Sequence, residues 1–339
     1  MLSKSTKIIL NYAAGIGLFG WLSFSIYQQL KNKENLEISL TQLRENIQGH
    51  LPAILVVVAL MLVNWGIEAL KWQQLMKPVE TLSFRRSFSA ILSGVSFSVN
   101  TPNRIGEYGG RILYLRNRNR IRGISVTAVG SFSQFITTLF FGIIGLIYYI
   151  FRFGPLSPEG APAHIWGKAV LSGAFLLLVI VLVAYFRLNL IVSLFRRITW
   201  LRKFTKFVEV INGFSDGFLL TVLFLSLARF LVFSAQYLIL LDVMGVQVIW
   251  WQGFMMIFLI YLVLALVPTI AIAELGIRGE IGLYFLGLLS GSKVGIVAAT
   301  VGIWLINLVV PAIAGSLLLL GIKVLNEEKV AGILKKQRA

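Results

Sequence analysis

The chain has 339 residues, of which 57% are hydrophobic and 13% charged, and its formal net charge is +17. Soluble domains carry about 25% charged residues, so the composition excludes disorder, a disulfide scaffold and most soluble enzymes, and argues against nucleic-acid binding. There is no cysteine, and the two histidines, His50 and His164, stand alone, so no metal and no cofactor are expected.

A membrane-crossing helix needs about 20 mostly apolar residues. Six stretches meet that need: 8–30, 51–70, 123–151, 167–186, 218–242 and 294–322. The first reads as an uncleaved helix, because its apolar run is long and no A-x-A site follows. Two further apolar stretches are broken in the middle. The stretch 84–115 contains Asn100, Thr101, Pro102, Asn103, Arg104, Glu107 and Arg111; the stretch 250–290 contains Pro268, Thr269, Glu274, Arg278 and Glu280. Non-helical backbone at membrane depth is tolerated only where it is buried in protein or lines a cavity. Both stretches are therefore candidate re-entrant hairpins or discontinuous helices. Residues 189–213 interleave Arg196, Arg197, Arg202, Lys203 and Lys206 with apolar residues at helical spacing. That pattern predicts a basic amphipathic helix in the membrane interface. Trp200, Trp250 and Trp251 read as interfacial anchors.

The expected fold class is thus an all-α polytopic membrane protein, with about six transmembrane helices plus two re-entrant or broken segments. Residues 1–322 form a single membrane domain and 323–339 a cytoplasmic tail. Cytoplasmic loops are enriched in Lys and Arg. If both broken segments return to the side they start from, 21 basic residues share the side of the N-terminus and 6 lie opposite. Arg104, Arg111, Arg229 and Arg278 remain within membrane segments. A single crossing by the first broken segment would move Arg116, Arg118, Arg120 and Arg122 to the other side. Two short crossing helices preserve the parity and stay open as an alternative. The charge distribution places both termini in the cytoplasm, and the expected location is a bacterial inner membrane.

An internal repeat emerges. Residues 107–111 and 274–278 both read E-x-G-x-R, a pattern that chance supplies about 0.06 times in a chain of this composition. Each lies in a broken segment, with Pro102 or Pro268 upstream. Repeat one covers about 51–151 and repeat two about 218–322. Under the re-entrant topology the two are inverted copies, an arrangement found in transporters.

Glu107 and Arg111, like Glu274 and Arg278, are four residues apart and share a helix face in the favourable order. Arg104, three residues before Glu107, is expected on the first face. Gly109 and Gly276, within the motifs, permit close approach by a helix or ligand. Thr101 or Asn103 can cap a half-helix starting near Arg104, and a helix N-terminus with Arg104 and Arg111 suits an anionic headgroup. Charges at this depth cost several kcal/mol (roughly) unless paired, and are functional candidates by default. The competing reading is that each Glu–Arg pair only locks the fold. Arg104 and Glu280 lack a partner within their own motifs and favour function. Glu68 and Arg229, in the helices before the broken segments, are supporting candidates through transport or ion pairing. Asn307 reads as a helix–helix hydrogen bond.

These features resemble the lysylphosphatidylglycerol synthase transmembrane-region family, also called flippase-like integral membrane proteins. The resemblance rests on T-P-N-R-I-G-E-Y-G-G-R at 101–111 with the arginine-rich loop after it, on P-T-I-A-I-A-E-L-G-I-R at 268–278, and on the basic stretch between the halves. It implies a membrane region that moves lipids between leaflets, with Pro102, Gly106, Glu107, Arg111, Pro268, Gly276 and Arg278 as motif positions. The soluble aminoacyl-transferase domain that follows this region in full synthases has no counterpart here, so synthesis of lysyl-lipid by that route is not expected.

The leading expectation is a non-enzymatic transporter of an anionic or zwitterionic phospholipid, without a P-loop and driven by an ion gradient or by substrate consumption. Arg104, Arg111 and Arg278 would engage phosphate, and Glu107, Glu274 and Glu280 would orient them or carry a proton. The alternatives are a non-catalytic membrane subunit bound to a partner enzyme of lipid or cell-envelope synthesis, and an intramembrane lipid-linked transferase. Membrane lipids are the expected partners, and no nucleic acid.

Overall fold

The computed structural model describes residues 36–99, 101, 104–154, 163–199, 205–267 and 271–320. The expected first span (8–30), the tail (323–339), and Pro102, Asn103, Trp200, Arg202, Lys203 and Pro268 lie outside the described residues. The described chain is all-helical, as the composition and spans predicted. Its main helices are α1 (Leu36–Gly49), α2 (Leu51–Met76), α3 (Phe84–Val99), α4 (Gly106–Ile112), α5 (Arg120–Phe153), α6 (Ala163–Phe186), α7 (Leu188–Arg197), α8 (Asp216–Val243), α9 (Trp250–Leu266), α10 (Ala271–Leu286) and α11 (Lys293–Leu320). Among the described residues, α2, α5, α6, α8 and α11 are long and apolar enough to cross a membrane.

Small residues set the packing. Helix α2 runs antiparallel to α5: Trp72 donates to Thr127 at 3.0 Å, and Met76 closes on Gly123. Helix α8 runs antiparallel to α2, with Gln236 donating to the Val57 carbonyl at 2.8 Å. A Cβ on Gly145 would meet the Met255 carbonyl at 2.4 Å, and one on Gly142 would meet Leu262. These two glycines let α9 lie against α5 in antiparallel register. Helix α6 keeps Ile165, Phe175, Leu176, Ile180 and Val183 on its surface. An apolar face of this extent is stable against lipid rather than water.

Both broken segments are hairpins. In the first, α3 and α4 are back to back. A Cβ on Gly110 would lie 2.5 Å from the Ser93 carbonyl, and one on Gly106 would lie 2.3 Å from the Phe97 carbonyl. The mouth is stapled by Glu80, which accepts from the Arg116 amide at 3.1 Å and the Asn119 side chain at 3.0 Å and pairs with Arg86 at 3.3 Å. The hairpin therefore returns to the end at which it starts. At about 1.5 Å per residue, the 16-residue α3 reaches about 24 Å, short of the hydrocarbon thickness of about 30 Å. In the second hairpin, Trp251 at the start of α9 packs on Tyr148, while Tyr284 and Phe285 at the end of α10 pack on Tyr149.

The two mouths lie at opposite ends of α5. The first is beside its N-terminus, with Arg116 and Asn119; the second is beside its C-terminus, with Tyr148 and Tyr149. The hairpins thus enter the bundle from opposite ends, and their tips meet between them. Lys77, Arg85, Arg86, Arg116, Arg118, Arg120, Arg122 and Arg187 lie at the first mouth's end, whereas Arg152, Lys168 and Lys293 lie at the other.

The amphipathic linker is shorter than the spacing predicted. Helix α7 stops at Arg197, and the next described turns, Thr205–Val208 and Glu209–Gly213, fold against α5. Leu188, Val192, Val208 and Ile211 are buried, and Arg196 bridges back to Glu209 at 2.7 Å.

Candidate functional site

The buried charges of the bundle gather at the meeting of the two hairpin tips. Glu68 of α2 is the first hub. It pairs with Lys71 at 2.7 Å, with Arg111 at 3.0 Å and with Arg229 of α8 at 3.4 Å. Arg111 also pairs with Glu107 one turn before it. Glu274 of α10 is the second hub. Its Oε1 accepts from Arg278 Nε at 2.9 Å and Nη2 at 2.5 Å, and both its oxygens accept from Arg104 Nη2, at 2.8 and 3.1 Å. Each E-x-G-x-R motif therefore forms its own i,i+4 pair.

Arg104 departs from its expected place. It does not join the face of Glu107 but crosses to Glu274 of the other hairpin. Its backbone carries a φ of +57°, the one positive φ at a non-glycine among the described residues. This left-handed conformation is costly for a side-chain-bearing residue, and here it sits at the turn between α3 and α4. Helix α4 consequently starts at Gly106, not Arg104. Thr101 caps it, accepting from the Gly106 amide at 2.7 Å.

A cavity of about 700 Å³ opens beside the second hub. Arg104, Arg278, Arg229 and Glu274 supply its charged wall. Trp65, Tyr261 and Trp304 are among its aromatic walls, and Leu264, Leu266 and Val267 of α9 among its apolar ones. Arg229 is held over the Trp65 ring, 5.0 Å from its centroid, and donates to Gln134 at 3.3 Å. In α11, residues Leu305–Val309 form a π-helical turn. Such turns recur at functional sites, and this one presents Asn307 to Asn64, which donates to it at 3.2 Å. Asn307 is thus a helix–helix contact that also lines the cavity.

The structure sorts the sequence-derived residues. Arg104, Glu274, Arg278 and Arg229 share the cavity wall. Arg111, Glu107 and Glu68 lie behind that wall, so Arg111 reaches the cavity only through Glu68 and Arg229. Glu280 is half-buried in α10 and lies outside the lining. Gly276 is buried. Gly109 faces open space, with nothing within 4 Å of an added Cβ; the close helix contact expected of it is made by Gly106 and Gly110.

Two features were missed. Lys71, one of the 21 basic residues counted on the side of the N-terminus, is 1% exposed, because α2 continues to Met76. It also donates to Ser226 at 3.2 Å. Its signal was the i,i+3 spacing from Glu68. The aromatic and amide lining, including Trp65, Gln134, Tyr261 and Trp304, gave no motif.

The described residues hold no group of three or more His, Cys, Asp or Glu able to bind a metal. Comparison with curated proteins and with solved structures found no match. A family model described as "Lysylphosphatidylglycerol synthase TM region" matches residues 8–315. With its apolar helices and this near-complete match, the chain is an integral membrane protein that belongs to the lysylphosphatidylglycerol synthase transmembrane-region family.

Proposed function

We propose that this protein moves a phospholipid with an anionic or zwitterionic headgroup between the leaflets of its membrane. The observation that carries the reading is the cavity between two opposed hairpin tips, with three arginines and one glutamate on its wall. Family membership supports a lipid-related role. Sites near the midplane, formed where broken helices of inverted halves meet, are the usual place for substrate in secondary transporters. Leu266 lines the cavity and is 58% exposed, which gives acyl chains a lateral way out while the headgroup stays on the arginines.

The basic residues at the mouth of the first hairpin support a reading in which that end faces the cytoplasm, and the membrane we propose is a bacterial inner membrane. Translocation involves no bond making or breaking, so the protein acts as a transporter and not as an enzyme. The test is a proteoliposome assay that follows a fluorescent phospholipid between leaflets. Arg104→Gln with Arg278→Gln, made together with Glu274→Gln so that no buried carboxylate is left unpaired, should abolish movement while the protein stays monodisperse in detergent. Movement at the unaltered rate would remove these arginines from the substrate path. Translocation that requires a co-purifying protein would instead support the reading as a subunit of a biosynthetic complex.

A further inference from the structure

The arginines at the mouth of the first hairpin lie outside the cavity lining, and their arrangement asks for a partner of its own. Arg85 and Arg86 open α3, Arg116 and Arg118 lie in the connection between α4 and α5, and Arg122 stands in the first turn of α5. All five are exposed. Glu80 draws two of them together, 3.3 Å from Arg86 and 4.0 Å from Arg116, yet those side chains stay 42% and 69% exposed while its own is 8% exposed. The carboxylate is thus turned inward, onto the Arg116 amide and Asn119, and the guanidinium groups outward. Glu209 and Asp216 are the other carboxylates at this end among the described residues, and Glu209 is held by Arg196. With all three counted, cations remain in excess.

Fold stability does not account for the cluster. Helices α3 and α5 both begin here, and neither has an acidic residue in its first turn. A helix N-terminus favours an anion, so arginine there opposes the dipole. Arginines gathered at one place also repel one another. Orientation in the membrane asks only for basic residues in the loops, not for their convergence on two helix starts. An external anion offsets both costs.

The neighbours of the arginines define its class. Phe84, Leu113 and Ile121 flank them in the chain, and each is 42% exposed. At the same end, Leu190 and Leu194 of α7 are exposed one turn apart, on the side away from the buried Leu188 and Val192. A helix with protein on one apolar side and none on the other lies at a lipid surface, so headgroups stand at the level of the mouth. An acidic protein segment would leave this apolar surface in water. A phospholipid covers it with acyl chains while its phosphate meets the arginines.

We propose that the mouth of the first hairpin binds anionic phospholipid headgroups of the adjoining leaflet, at a surface separate from the cavity. Guanidinium groups pair well with phosphate. A zwitterionic headgroup carries an ammonium that offsets its phosphate, so lipid of net negative charge is preferred.

The test uses purified full-length protein in an uncharged detergent, with binding of dioctanoyl phosphatidylglycerol and dioctanoyl phosphatidylcholine followed by native mass spectrometry. To separate this surface from the cavity, the background carries Arg104→Gln, Glu274→Gln and Arg278→Gln. Phosphatidylglycerol should still bind there, at least about tenfold more tightly than phosphatidylcholine. Adding Arg85→Gln, Arg118→Gln and Arg122→Gln, which leave the Glu80 contacts in place, should weaken it at least about tenfold. The unsubstituted protein gives a second reading. Raising sodium chloride from about 0.1 M to about 1 M shortens the screening length from about 10 Å to about 3 Å, and the preference for phosphatidylglycerol should fall with it. Unchanged binding after the mouth substitutions, or equal binding of the two lipids, would overturn the proposal. Inorganic phosphate competing as well as phosphatidylglycerol would overturn the lipid source, and displacement by polyglutamate at equal charge would point to an acidic protein segment instead. None of these outcomes bears on the transport reading, which the liposome assay tests through the cavity residues.

Discussion

Arg104 and Glu274 lie 170 positions apart and are joined by two hydrogen bonds, at 2.8 and 3.1 Å. They come from the tips of hairpins that enter the bundle from opposite ends, so this pair ties the two halves at the point where both chains turn back. Glu274 is nearly buried and is also held by Arg278. The Arg104 side chain is 39% exposed and faces the cavity. The tie therefore has one buried partner and one that also faces the cavity.

That asymmetry predicts unequal costs of substitution. Arg104→Ala leaves Glu274 with Arg278, and an ion pair open to solvent is worth only about 0–1 kcal/mol. Its thermal stability in detergent should stay close to that of the parent while ligand binding falls. Glu68→Gln strands Lys71 and Arg229 beside a neutral group and leaves Arg111 only its pair with Glu107. Removing one partner from a buried ionic cluster costs about 3–5 kcal/mol, so this variant should melt far lower or fail to accumulate. Equal melting temperatures for the two variants would contradict the buried hub.

Lys71→Met probes the same hub from the cationic side. Arg111 and Arg229 still neutralise Glu68, and the abandoned Ser226 remains bonded to Ser133 at 2.7 Å. A methionine fills the volume of the aliphatic stem. The loss should be about 1–2 kcal/mol, below that of Glu68→Gln, since no charge is left without a partner. Melting of both variants in the same detergent orders them.

The first motif holds a glycine pair with opposite predicted behaviour. Gly110→Ala would press a methyl group to 2.5 Å from the Ser93 carbonyl and 2.6 Å from Gly94 Cα. Backbone cannot step aside cheaply, and overpacking of this kind costs about 1–3 kcal/mol. Gly109→Ala meets nothing within 4 Å and should gain up to about 1 kcal/mol of helix propensity. Fluorescence-detected chromatography after a heat step reads both. A tolerant Gly110 and an intolerant Gly109 would reverse the assignment of the helix contact.

How much of this was legible follows from what a sequence pattern records. Apolar run length marked every described span, because crossing a bilayer requires it. The broken segments were visible through Pro102, Pro268 and the charges, and their spacing placed Glu107 with Arg111 and Glu274 with Arg278. Arg104 was misplaced because helical spacing assumes a helix, and φ at one residue decides whether its side chain faces Glu107 or the opposite hairpin. Lys71 was counted with the basic residues of the N-terminal side because a lysine near the end of an apolar run usually marks the interface; in the fold it bonds to Ser226, 155 positions away. Gly109 was chosen over Gly110 because the motif contains it, whereas contact with α3 depends on rotation about the axis of α4. The cavity-lining aromatic residues Trp65, Tyr261 and Trp304 come from three helices, and no local pattern brings them together.

Glu80 supplies a pH prediction at the mouth of the first hairpin, outside the membrane spans. Burial by itself raises its carboxyl. The Asn119 side chain and the Arg116 amide that donate to it, with the charges of Arg86 and Arg116, outweigh burial and hold it below its ordinary value of 4.5. A carboxylate whose folded value is depressed adds stability that is complete above the unfolded value. That stability disappears as pH falls from about 4.5 through the lower folded value. Detergent-solubilised protein should therefore lose melting temperature on acidification through this window. Glu80→Gln should start lower at neutral pH and show a shallower decline, because the glutamine keeps no charge to lose. The comparison isolates Glu80 from other acid-sensitive carboxylates, which are common to both proteins. Parallel melting curves for the two proteins from pH 7 to pH 3 would mean that the staple across the hairpin mouth does not depend on this carboxylate.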